Sequence, residues 1–239
     1  MNISKKSILI VDSEISIRQI VSKRLVYRGY KVFMATNGVD ALKIINSEYI
    51  NLIILDILLP KLDGYEVCRQ IRKNSNVPII ILTALDNLTN RIMGLELGAN
   101  DFITKPFSLK ELEVRINSSL RYSNIQSSKK VPTRQEIFYF GSLTINLTKQ
   151  QVLKDNKQLI LTGIEFSLLH LLIQNKDQKL SRATILDNIW GYTPERDIDT
   201  RVVDVHIHRL RTKLEENPKN PDFILTARGI GYMFRTLDL

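Results

Sequence analysis

Four residues in the first half of the chain have types and positions suited to phosphoryl transfer: Asp12, Asp56, Thr83 and Lys105. Each follows a short run rich in β-branched or other apolar residues, ILIV, LIIL, PIIIL and DFIT in turn. A carboxylate can attack a phosphoryl group while a divalent cation and an ammonium offset the charge on that group. Asp56, behind the most hydrophobic run, is the candidate nucleophile. Asp12 suits Mg2+, a hard ion that prefers carboxylate, carbonyl and water oxygens. Lys105 would pair with an acyl-phosphate oxygen, and Thr83 would hydrogen-bond to one. Singly, each has a plainer reading: an Asp at a strand end is often only a helix cap, and Thr or Lys there can simply face water. Four complementary residues behind successive apolar runs are much harder to explain that way.

Bringing these side chains together requires a particular fold. Apolar runs of this kind read as buried parallel strands. The expected strands are Ser7–Val11, Lys31–Ala35, Leu52–Leu55, Pro78–Leu82 and Asp101–Thr104, with helices between them. Such a chain forms an α/β, doubly wound (βα)5 sheet with its crevice at the carboxyl ends of the strands. Lys31–Ala35 has little core character on one face and should be an edge strand. Asp63-x-x-Glu66 and Ser108-x-x-Glu111 have the capping-box pattern. Ser13 should cap the helix beginning near Glu14. Pro106 biases Lys105 toward an extended conformation. The single cysteine, Cys68, excludes an intrachain disulfide and reads as a small buried hydrophobe.

This unit occupies residues 1–121. Residues 122–136 are polar and aperiodic and read as a linker. Residues 137–239 read as an α+β winged helix-turn-helix. Short alternating strands turn at Asp155-Asn156, and helical periodicity follows in Gly163–Gln174, Arg182–Ile189 and Thr200–Glu216. A terminal hairpin is hinged at Arg228-Gly229-Ile230-Gly231.

A net charge of +9 and a pI near 9.6 favour an anionic partner, nucleic acid or a membrane surface. No apolar run approaches the ~18 residues of a spanning helix, so no membrane insertion is expected. The amino terminus enters a strand almost at once, leaving no room for a leader, so the protein should work where it is translated.

Rotation at ~100° per residue assigns faces to the basic helix TRVVDVHIHRLRTKLEE. Val203, Ile207, Leu210 and Leu214 should enter the core, and that stripe favours a folded domain over a membrane-surface helix. Arg201, Val205, His208, Arg209 and Thr212 should project outward, a set suited to the major groove of double-stranded DNA. Arg211 and Lys213 should meet phosphates, and Arg228 at the hairpin tip should reach a minor groove. The plain alternative is a cationic face that serves solubility. His206 and His208 do not face each other on a helix, which argues against a metal site. Trp190 reads as an anchor for the loop that follows it.

The segments ILIVD, LIILDILLPKLDGYEVCRQIR, VPIIILTA and GLELGANDFITKPFSLKELEVRI resemble the receiver domain of bacterial-type response regulators. LTGIEFSLLHLL, RVVDVHIHRLRTKLE and ILTARGIGYMF resemble the winged-helix output domain of the OmpR/PhoB subfamily. The resemblance implies a regulator rather than an enzyme, with autodephosphorylation at most. It implies that Asp56 is phosphorylated by a sensor histidine kinase and that Asp12 belongs to the acidic pocket binding Mg2+. Thr83 would be the switch hydroxyl, Lys105 the signature lysine, and the Leu58 backbone carbonyl would complete the metal site. On activation a homodimer would form through the helices Asp86–Gly98 and Leu109–Leu120, with Arg91 pairing to Glu111 and Asp101 to Arg115. Helical periodicity leaves Arg91, Glu111 and Arg115 toward solvent, and a merely solvated charged face is the alternative. The acidic loop Glu195–Asp199 would contact RNA polymerase.

An Ile-rich composition, 31 Ile against 6 Ala, resembles plastid-encoded members from red algae and their relatives, which implies the plastid stroma; otherwise the protein is cytoplasmic. Two departures matter. Ser13 stands where the family has a second acid, so weak Mg2+ binding is expected, and Phe102 replaces the switch tyrosine. Both favour a second reading, a DNA-binding regulator largely independent of phosphate. A flavodoxin-like enzyme is a distant third, because no Gly-rich phosphate loop follows the first strand.

Overall fold

The structure, a computed structural model, describes residues 5–85, 88–123, 137–192 and 200–236. Most of the expected linker, the loop at 195–199 and the expected helix start at Asp86 lie outside the described residues. The chain divides into two compact units, Met1–Leu120 and Arg121–Leu239.

In the first unit, β1 (Ser7–Val11), β2 (Lys31–Ala35), β3 (Leu52–Leu55), β4 (Ile79–Thr83) and β5 (Asp101–Thr104) form a parallel sheet in the order β2-β1-β3-β4-β5. The connecting helices are α1 (Ile15–Tyr27), α2 (Gly38–Ser47), α3 (Gly64–Asn74), α4 (Leu88–Glu96) and α5 (Leu109–Ser123). Because helices cover both faces, every residue of β1, β3 and β4 is buried, and apart from Ser7 and Thr83 at the ends their sequences are continuously apolar rather than alternating. Ile8, Ile10, Leu52, Ile54, Ile80 and Leu82 of the sheet pack against Val21 and Leu25 of α1 and Leu112, Ile116 and Leu120 of α5. β2 is an edge strand and exposes Lys31 and Met34. Cys68 is buried in α3. The strand order reverses between β1 and β3, the position at which open α/β sheets form a crevice.

β4 begins one residue later than expected, and Thr83 is its last residue. Pro78 has no N–H to donate and joins the ladder only through its carbonyl, which accepts from Ile53 N. Asp63 and Ser108 cap their helices as expected, accepting from Glu66 N and Glu111 N. Ser13 does not cap α1. The N-cap is Glu14, without a side-chain cap, and the Glu14 N–H donates to Asp12 Oδ1 at 2.9 Å. An aspartate two residues back reaches that N–H in an Asx turn, so the serine is not needed there.

The second unit opens with an antiparallel sheet, β6 (Ile137–Phe140), β7 (Leu143–Asn146), β8 (Gln151–Lys154) and β9 (Lys157–Leu159), paired in sequence order. Asp155 and Asn156 both have positive φ, as a two-residue hairpin requires. Then come α6 (Gly163–Gln174), β10 (Leu180–Ser181), α7 (Arg182–Trp190), α8 (Arg201–Leu214), β11 (Ile224–Ala227) and β12 (Gly231–Phe234). The last two strands form the expected hairpin, and β12 also pairs with β10. A Cβ at Gly231 would lie 2.0 Å from Leu180 O, so only glycine permits that approach.

Candidate phosphoryl-acceptor site and nucleic-acid face

Asp12 and Asp56 leave the ends of adjacent strands β1 and β3, and both are buried. Lys105, one residue past β5, reaches across the sheet ends. Its Nζ donates to Asp56 Oδ2 at 2.8 Å and Glu14 Oε1 at 3.1 Å, and lies 2.8 Å from Asp12 Oδ2. The Lys105–Pro106 peptide is cis. Asp56 Oδ1 accepts from Leu58 N at 3.1 Å. Thr83, buried at the end of β4, accepts from Leu85 N at 3.1 Å, which leaves its hydroxyl proton available. The amino end of α3 comes close behind Asp56 because residue 64 is glycine; a Cβ there would lie 2.2 Å from Asp56 O.

Burial pushes the Asp56 carboxyl above its ordinary value, and the Lys105 ammonium pulls against that rise. For Lys105 burial acts to lower the value, but the carboxylates of Asp12 and Asp56 outweigh it, so the ammonium stays charged. Asp12, Glu14 and Asp56 each offer an oxygen within 4.8 Å of the others. Asp12 Oδ2 is buried and faces the Lys105 ammonium without a well-directed hydrogen bond among the described residues. A compact set of hard oxygens gathered around one cationic group fits a divalent cation such as Mg2+.

The face formed by α4, β5 and α5 differs from expectation. Arg91 is only 6% exposed, with its guanidinium 4.9 Å from the centroid of the Phe102 ring. Asp101 is fully buried and takes both bonds from Arg115 Nη1, at 2.9 and 3.0 Å, within the same chain. Arg115 also pairs with Glu111 at 2.8 Å. Arg91, Asp101 and Arg115 therefore do not stand free at the surface: Arg91 lies over an aromatic ring, and Arg115 is drawn in by the buried Asp101 carboxylate. Asn100 is buried and accepts from Ile79 N and Arg72 Nη2.

On α8, Val203, Ile207, Leu210 and Leu214 are buried as expected, and Arg201, His208 and Thr212 are exposed. Arg228 is exposed at the hairpin turn. Two outward assignments, Val205 and Arg209, fail, and the two residues expected to meet phosphates, Lys213 and Arg211, turn to partners within the unit. Val205 is 8% exposed and belongs to the core. The Arg209 side chain is 13% exposed and pairs at 2.9 Å with Glu165 of α6, itself fully buried. Lys213 pairs with the same carboxylate at 2.6 Å and donates to Ile160 O. Arg211 turns to the hairpin, donating to Ile224 O and Thr226 Oγ1 over the Tyr232 ring. Burial would raise the Glu165 carboxyl, but Arg209 and Lys213 hold it below its ordinary value.

Glu165 was legible as a cap: Thr162-x-x-Glu165 forms a complete capping box. Nothing in the local sequence marked its second role as a counter-ion. A further cluster joins α7, α8 and β12: Arg182 Nε and Tyr232 OH both donate to Asp204 Oδ1 at 2.7 Å. Burial and Asp204 push the Tyr232 phenol up to about 12. Trp190 is buried beside His206, and the segment it was expected to anchor lies outside the described residues.

A family profile described as "Response regulator receiver domain" matches residues 8–117. A second, "Transcriptional regulatory protein, C terminal", matches residues 156–234. The chain is 57% identical over 235 residues to a probable transcriptional regulator ycf27 of Cyanophora paradoxa, covering 98% of each chain. It is 56% identical to the Guillardia theta protein of the same name, covering 98% of this chain and 92% of that one. Among solved structures it is similar to response regulator DrrB of Thermotoga maritima, described as an OmpR/PhoB homolog. Identity is 31%, the TM-score is 0.51, and the match covers 97% of this chain and 99% of that one.

Proposed function

The chain belongs to the OmpR/PhoB family of two-component response regulators, phosphorylation-regulated transcription regulators rather than enzymes, and we propose that Asp56 is its phosphoryl acceptor. Its algal relatives make it a plastid-type member acting in the plastid stroma. The observation that carries the reading is the convergence of Asp56, Asp12 and Lys105 at the carboxyl ends of the strands.

A cognate histidine kinase presents its phosphohistidine, and an Asp56 oxygen attacks phosphorus as the P–N bond breaks. Mg2+, held by Asp12, Asp56 and the Leu58 carbonyl, would offset charge on the phosphoryl oxygens. Lys105 leaves Asp56 Oδ2 for a phosphoryl oxygen, and the Thr83 hydroxyl donates to another. Phe102 lies next to Asp101 on β5 and beneath Arg91, so movement of the ring would change where Arg91 sits. That supports a phosphate-favoured homodimer in which Arg91 pairs with the partly exposed Glu111 of a second copy, while Asp101 and Arg115 stay paired within each chain. Glu111→Arg should abolish phosphate-dependent dimerisation in analytical ultracentrifugation; an undiminished dimer removes this surface from the account.

In the second unit the exposed Arg201, His208, Thr212 and Arg228 meet double-stranded DNA. Arg209 and Lys213 hold the helix to α6 through Glu165. RNA polymerase meets the acidic segment 195–199, as expected from the sequence.

The acceptor assignment is tested by intact-mass analysis after treatment with acetyl phosphate and Mg2+. Wild type should gain one phosphoryl adduct and Asp56→Asn none. An adduct that persists in Asp56→Asn would place the acceptor elsewhere. The second reading, DNA binding without phosphate control, is favoured by Ser13, which is exposed and brings no charge to the crevice.

A further inference from the structure

We propose that Glu14 supplies the third carboxylate of the Mg2+ site, taking the role that Ser13 cannot fill. The inference rests on the metal reading above and assigns the site a ligand that the family pattern does not.

Geometry is the first support. Glu14 Oε1 lies 3.1 Å from Lys105 Nζ, the same ammonium that lies 2.8 Å from both Asp12 and Asp56. One ammonium thus stands among three carboxylates, the arrangement a cation site adopts around a cationic stand-in. The turn carrying Glu14 is fixed on both sides. Its N–H donates to Asp12 Oδ1 at 2.9 Å, and Arg18 Nη1 donates to Asp12 O at 2.6 Å. Glu14 O in turn accepts from Arg18 N at 3.2 Å.

Charge is the second support. Three carboxylates and one ammonium leave a net charge of about −2, which a divalent cation neutralises and a second lysine would not. Asp12 Oδ2 is buried and the cation it faces among the described residues is the Lys105 ammonium at 2.8 Å, so a divalent cation would engage it when that ammonium turns to a phosphoryl oxygen.

The third support is that helix formation does not explain a glutamate here. Glu14 occupies the N-cap of α1 and makes no side-chain cap, and the favoured residues at that position are Ser, Thr, Asp and Asn. Its carboxylate is directed to the crevice instead. The side chain is 56% exposed, so it turns between Lys105 and a metal without disturbing the core. That exposure also makes it a weaker ligand than a buried acid, so modest affinity is expected.

The test is Mn2+ binding to the full chain by electron paramagnetic resonance, with Mg2+ in competition. Asp56→Asn is the control for the site itself. Glu14→Gln should weaken binding about tenfold or more. Adding Ser13→Asp to Glu14→Gln should recover most of that loss, which a folding defect would not allow. Wild-type affinity in Glu14→Gln, with Asp56→Asn still impaired, would overturn the role of Glu14 and leave the metal site standing. Loss in Glu14→Gln that Ser13→Asp does not recover would also overturn it. Binding unaffected by Asp56→Asn would instead show that the metal reading itself had failed, and this inference with it.

Discussion

Glu165→Ala should destabilise the carboxyl-terminal unit by about 3 kcal/mol, the low end of the range for removing one member of a buried ion pair. Glu165 is fully buried and accepts from Lys213 at 2.6 Å and from Thr162 N at 2.8 Å, with Arg209 at 2.9 Å. Alanine would leave the Arg209 guanidinium without its counter-ion and remove half of the capping box. The low end applies because the Lys213 side chain is about one-third exposed and recovers water. The pH dependence has a definite sign. The folded carboxyl is held below its ordinary value, so its stabilisation is present above the unfolded value of ~4.3 and is lost as pH falls through the folded one. Denaturant unfolding followed by the fluorescence of Trp190 reads this unit directly. A change below about 0.5 kcal/mol, within the ordinary surface range, would remove the triad from the account of stability.

Arg201→Ala should cost about 1–3 kcal/mol at one base position and blur the selected motif there. Arg201 is exposed at the start of α8, with only a loose pairing to Asp204 at 3.9 Å. Arg209→Ala should behave differently, lowering the stability of the unit and weakening binding to all sequences together. Binding-site selection with each variant, beside its melting curve, separates the two. An unchanged motif with Arg201→Ala would move base reading to His208, Thr212, Arg228 or DNA shape.

The contrast between these arginines shows what the sequence carried. The strands were legible because each is a run of apolar residues ending in a polar one, and the parallel order follows from the helices between them. The crevice followed from those ends, since Asp12, Asp56 and Lys105 needed only the sheet to meet. Helical rotation correctly assigned the stripe Val203, Ile207, Leu210 and Leu214. It could not say how much of the other side α6 would cover. Glu165 lies far back in the chain, and only the packed unit brings it to Arg209. Arg91 is a similar case: periodicity placed it toward solvent, but the Phe102 ring from β5 lies beneath its guanidinium. Ser13 misled for a local reason: the Glu14 N–H is taken by Asp12 Oδ1 in an Asx turn, and Glu14 is the N-cap of α1, without a side-chain cap. Short-range pattern fixes a residue's direction on its own element, whereas its partner comes from another element.

Phosphorylation control is the central claim, and DNA affinity with and without an acyl-phosphate mimic tests it most directly. The full chain is titrated with a duplex obtained by site selection, in Mg2+ alone and in Mg2+ with beryllofluoride, for wild type and Asp56→Asn. Beryllofluoride should tighten wild-type binding by about 5–150-fold, the usual span of coupling between two sites, and leave Asp56→Asn unchanged. Equal wild-type affinity in the two conditions would contradict the account and leave a DNA-binding protein whose receiver does not control it.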